Sequence, residues 1–181
     1  MTSIKERTEI SKSNPRNIKS ILEEIQTLST INEDVAFSCF YVIISDKKPI
    51  IGISVRLAEL IASSWGNIHS GSRIISKNDK EVTVQGFVHD FEKNSIFTVE
   101  VQRSIFGMSS EQSIQSTNAA SSIAFRNAIF KAIPASLVAS IVDNIKSYVI
   151  NQIDNGEDTL SRVYGALEYY KKRNISSNKI S

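Results

Sequence analysis

The chain has 181 residues, 41% hydrophobic and 22% charged, with seven Gly and three Pro, which argues against low-complexity linkers or a disordered bulk and fits one domain with a real core. No apolar run is long enough to span a bilayer, Met1-Thr2-Ser3-Ile4-Lys5 opens no signal peptide, and the lone Cys39 excludes an intramolecular disulfide. A cytoplasmic protein without membrane attachment is expected, and the formal net charge of +2 confines any nucleic-acid-binding surface to a local patch.

Residues 1–13 are polar and charged and read as a mobile arm. Asn14-Pro15 reads as a helix cap and first helical position, because proline lacks a donor that would be unsatisfied there anyway. Ile18, Ile21, Leu22, Ile25 and Leu28 then follow at helical spacing and make one apolar stripe. The ten residues Val35 to Ile44 are nearly all apolar or aromatic, and their β-branched content reads as a strand buried on both faces. Asp46-Lys47-Lys48-Pro49 closes that strand with a turn.

A helix is predicted from about Ser54 to Ser64. It is apolar nearly all round, with Arg56, Glu59 and Ser63 on one polar line, and Gly66 after Trp65 supplies its left-handed end. From Ser72 to Arg103 the period changes to two. Arg73–Ser76, Glu81–His89 and Ser95–Arg103 read as an antiparallel meander with turns at Asn78-Asp79-Lys80 and Asp90–Asn94. Val82, Val84 and Val88 share one face of the middle strand, and Phe97, Val99 and Val101 point inward from the last.

Gly107 to Thr117 lacks periodicity and reads as a flexible loop. Asn118 to Ile133 reads as a helix in which five alanines permit a close approach to a sheet, and Pro134 ends or kinks it. Leu137, Ile141, Ile145, Tyr148 and Val149 mark another amphipathic helix, and a last one runs from Glu157 to Arg173. The expected fold is α+β: a three-stranded antiparallel meander, plus an additional strand, with helices packed against it. The expected organisation is an arm at 1–13, a core at 14–153, and a C-terminal helix with a basic tail at 154–181.

Catalytic chemistry has little foothold. His69, His89 and Cys39 stand at no metal-ligand spacing and read as a loop histidine, a strand-end histidine and a core cysteine. Gly66, Gly71 and Gly86 form no phosphate loop, and no Gly-x-Ser-x-Gly elbow occurs. Neither an enzyme nor a bound cofactor is therefore expected. What stands out is cations in apolar surroundings. Arg56 has Glu59 within reach, whereas Arg126 and Lys131, on the Ala-rich helix, have no acid within that helix. Arg73 and Arg103 decorate the meander together with Lys77, Lys80 and Lys93. Trp65 is either core or a stacking face, with core favoured.

The order helix, Trp-Gly, three-stranded meander, Ala-rich helix with Arg and Lys resembles the core of the Rad-fifty-two superfamily of annealing proteins. Gly52, Ser54-Val55-Arg56-Leu57-Ala58-Glu59 and Trp65-Gly66-Asn67 are similar to a pattern of phage and prophage recombination proteins. So are Gln85-Gly86 with Asp90, Glu92 and Asn94, then Asn118-Ala119-Ala120-Ser121-Ser122-Ile123-Ala124, Arg126-Asn127-Ala128-Ile129 and Ile133-Pro134. The similar stretch runs from about residue 48 to residue 137. This resemblance implies an oligomeric ring or helix that holds single-stranded DNA in a basic groove and pairs it with a complementary strand without ATP. By position, Arg56, Arg126 and Lys131 match groove cations, with Arg103 near the rim and Arg73 on the meander. A phage exonuclease or a single-strand-binding protein is the partner such a role implies. Three alternatives stay open: a double-stranded-RNA-binding module, a metal-dependent nuclease using Asp90 and Glu92, and a structural phage protein whose oligomer has no nucleic-acid role.

Overall fold

The computed structural model describes residues 4–45 and 48–154. Two helices open the chain, α1 at Ile4–Ser13 and α2 at Ile18–Ser29, followed by a short α3 at Glu33–Ser38. A hairpin of β1 at Phe40–Ser45 and β2 at Lys48–Ile53 leads into α4 at Val55–Trp65. The meander is β3 at Ile68–Lys77, β4 at Glu81–Asp90 and β5 at Ser95–Ser104. Long helices α5 at Ser110–Ala132 and α6 at Ala135–Asp154 complete the described residues. The fold is thus α+β with two antiparallel sheets, a β1–β2 hairpin and a β3–β4–β5 meander.

The meander turns where the sequence places them. The Asn78 side chain accepts from the backbone of Lys80 and Glu81, and Asn94 takes the left-handed conformation (φ 48°) between β4 and β5. Strict alternation along β4 puts Val82, Val84, Gly86, Val88 and Asp90 on the buried face. That face meets α5, which lies across all three strands. Ala120, Ala124 and Ala128 recur every fourth residue of α5, are fully buried, and make its sheet-facing stripe nearly smooth. Smoothness permits backbone-to-backbone packing at Gly86: a Cβ there would lie 2.0 Å from the Ala124 carbonyl oxygen. Leu57, Ile61 and Trp65 of α4, Ile25 of α2 and Ile129 of α5 continue the core, which Val138, Ile141, Val142 and Ile145 of α6 close. Pro134 separates α5 from α6, and their axes bend by 114° across it.

Four expectations are corrected. Residues 4–13 form α1, with Ser11 buried and Arg7 5.8 Å from the Phe91 ring centroid. Asn14-Pro15 begins no helix; Asn17 caps α2 by accepting from the Ser20 N–H at 3.2 Å. The apolar run from Val35 is divided between a helix and a strand. Asn32 caps α3 through the Val35 N–H at 2.9 Å, Glu33 and Asp34 suit the positive end of that helix, and β1 starts only at Phe40. Gly107–Thr117 is mostly helix, because Ser109 and Gln112 form a reciprocal capping box that starts α5 at Ser110. The helix expected beyond residue 156 lies outside the described residues, as do Asp46 and Lys47 of the expected turn.

Candidate nucleic-acid interface

Arg126 leaves the inner half of α5 toward the root of the β1–β2 hairpin and is half-buried there. Its Nη1 donates to the Ile53 carbonyl at 3.3 Å, and its Nε and Nη2 donate to Asn127 Oδ1 at 3.2 Å. The guanidinium carbon stands 5.4 Å from the centroid of Tyr41. Tyr41 pairs with Gly52 across the hairpin, and a Cβ on Gly52 would fall 2.2 Å from the tyrosine ring. Glycine at position 52 therefore lets the ring lie down over β2, beside the arginine. Among the described residues all of Arg126's partners are neutral, and one N–H on each terminal nitrogen has no acceptor.

Arg56, in the first turn of α4, follows Ile53 by only three residues and so lies next to the hairpin root. It is exposed and ion-pairs with Glu59 at 2.8 Å, the surface pairing its spacing predicts. Lys131, also exposed, donates to the Thr98 carbonyl at 3.1 Å and so caps the free edge of β5. Among the described residues no carboxylate lies within ion-pair distance of Arg126, Lys131, Arg73 or Arg103.

The other two cations do not join this group. Arg103 pairs with Val82 near the far end of β5, five residues and roughly 16 Å of strand from Thr98. Arg73 pairs with Gln85, on the face of the sheet turned away from α5, and donates to Gln85 Oε1 at 2.8 and 3.2 Å. The five cations thus divide into a hairpin-root set of Arg126 and Arg56, Lys131 at the β5 edge, and two outlying residues.

One basic residue went unnoticed in the sequence. The Arg16 side chain is buried, 5% exposed, and donates in bidentate fashion to Asp90 at 2.7 and 2.8 Å. Its Nε and backbone N–H both donate to Glu92 Oε1, and its guanidinium covers Trp65 at 5.2 Å. Asn67, in the left-handed conformation, joins Glu92 to the Asn14 carbonyl. Burial alone would raise the Asp90 carboxyl, but hydrogen bonds from Arg16 and the Lys93 backbone, with both charges, hold it below its ordinary 3.8. Asp90 and Glu92 thus anchor the Arg16 segment. No group of three or more potential ligands among the described residues is placed to hold a metal ion.

Trp65, 1% exposed, is core. Cys39 is buried too, its thiol pushed up to about 11 by burial. His69 is not a loop residue but lies on β3, where it pairs with His89, which stands at the end of β4 as expected. The first turn of α5 carries Glu111 and no lysine, unlike the lysine-led helix of a double-stranded-RNA-binding module. No single described helix is long and apolar enough to cross a membrane. Comparison of the chain with protein-family models, with curated proteins and with solved structures returned no match.

Proposed function

We propose that this chain binds single-stranded DNA along the root of the β1–β2 hairpin and α5, and anneals it to a complementary strand as a homo-oligomer without ATP. Arg126 carries the reading. A half-buried guanidinium with only neutral partners bears its desolvation without a compensating anion, and a phosphate reaching its two free N–H groups would supply one. Arg56 on the next element and Lys131 on the same helix support it, since both are exposed and can follow a flexible backbone. Exposed Ile43, Ile50 and Ile51 on the hairpin, together with Ile74 and Ile75 on β3, support self-association.

A strand-annealing assay with complementary oligonucleotides and no nucleotide cofactor, run beside size measurement, tests the proposal. Annealing by a species larger than a dimer supports it. Failure to accelerate annealing and to shift a single-stranded oligonucleotide refutes it. Binding should also weaken with salt, with a log–log slope of roughly −0.7 per neutralised phosphate.

A further inference from the structure

The meander has a second face. Directly paired residues of antiparallel strands point to the same side, so the register places His69, His89, Phe87 and Arg73 on the face turned away from α5. His69 and Arg73 are exposed, as are Ile96 and Thr98 on β5, whereas the His89 ring meets the buried Phe91, itself under Arg7 of α1, at 4.5 Å.

Phe87 is arranged on this face in an unusual way. Its partner across the pair is Gly71, and a Cβ on Gly71 would lie 3.1 Å from the tip of the phenyl ring. The ring therefore leans across onto β3, into the space a side chain at position 71 would fill. The His69 ring meets it at 5.4 Å and 63°, and His69 is paired directly with His89. One row further along, Arg73 is steadied by Gln85, whose amide donates to Glu100 at 3.2 Å. Among the described residues Nη1 of Arg73 has no hydrogen-bond acceptor.

We propose that this open face is a stacking platform for single-stranded nucleic acid, with one base on Phe87, its neighbours against His69 and His89, and a phosphate on Arg73. The proposal rests on the nucleic-acid reading above and adds a contact surface on the side of the sheet opposite Arg126. Rings on an open antiparallel sheet present π-faces to unpaired bases, and such stacking tolerates any sequence, as annealing requires. The aliphatic side chain beside these rings is Ile96, which pairs with His89.

The test uses the full chain and a fluorescent oligothymidylate. Phe87→Leu keeps Gly71 covered but removes the π-face, and the double variant His69→Ala/Arg73→Ala changes only exposed side chains. Each should bind roughly tenfold more weakly with unchanged unfolding. Photo-crosslinking from 5-iododeoxyuridine should mark Phe87 or His69 in the unaltered chain. Three outcomes overturn the platform. If the unaltered chain binds and anneals and both variants match it, the platform is wrong and the hairpin-root reading survives. If the variants change oligomer size but not affinity, the face is a protein contact. If the unaltered chain neither binds nor anneals, both readings fall together.

Discussion

Replacing Gly86 by alanine adds a single methyl group where α5 and β4 meet backbone to backbone. That carbon would stand 2.0 Å from the Ala124 carbonyl oxygen, 2.3 Å from its carbon and 2.9 Å from the Phe125 nitrogen. All three are backbone atoms of α5, so no rotamer change relieves the clash. Since carbon–oxygen contacts settle at about 3.3–3.6 Å, α5 must move off β4 by more than about 1 Å. A gap of that size forfeits roughly a quarter to a half of the dispersion attraction wherever it opens. Here it opens along Val82, Val84, Ala120 and Ala124, all fully buried. Overpacking usually costs about 1–3 kcal/mol, and a rigid helix against a rigid strand belongs at or above the upper end. The expected loss is about 3 kcal/mol, which lowers Tm by roughly 6–12 °C for a chain of this size. Thermal and urea unfolding of Gly86→Ala beside Gly71→Ala is the assay, because the clash at Gly71 is with a movable phenyl ring and should cost much less. Equal melting of Gly86→Ala and the unaltered chain would refute the close packing of α5 on β4.

Arg16→Ala should destabilise by about 3–5 kcal/mol in urea unfolding, because it strands the buried Asp90 beside Glu92; a change below about 1 kcal/mol would mean the anchor is dispensable. Asp90 titrates below its ordinary 3.8 when folded, so its contribution is complete above the ordinary carboxylate range and fades as pH falls through and below that value. Acid unfolding of the unaltered chain should show this loss, and Asp90→Asn should flatten it. Cys39, buried with its thiol near 11, should resist iodoacetamide at pH 8 until urea unfolds the chain, as mass spectrometry would record. Arg126→Ala removes only neutral partners, so it should cost about 1–2 kcal/mol of stability while weakening single-strand binding. Normal affinity in the folded Arg126→Ala protein would displace the groove from the hairpin root.

Much of this architecture was legible because it is written in local periodicity and local chemistry. Ser54 and Gly66 bracket α4, alternation fixes the buried face of β4, and the alanine spacing of α5 announces a close contact. Where a cap overrode an apolar pattern the reading went astray: Asn32 makes Val35 helical, and the Ser109–Gln112 box turns an aperiodic stretch into the first turns of α5. The Ser-x-x-Gln spacing was a usable signal for the second case.

The sequence by itself determined the meander, its buried face and the identity of the candidate cations, since each depends on neighbours a few residues away. Only the tertiary structure decided what those cations meet. Arg16 and Asp90 are 74 residues apart, and Arg126 and the Ile53 carbonyl 73. No local rule couples positions so distant, and whether a guanidinium finds a carboxylate or a neutral oxygen depends on how the helices cross the sheet. Strand register decided the rest by placing Arg73 and Arg126 on opposite sides of the meander.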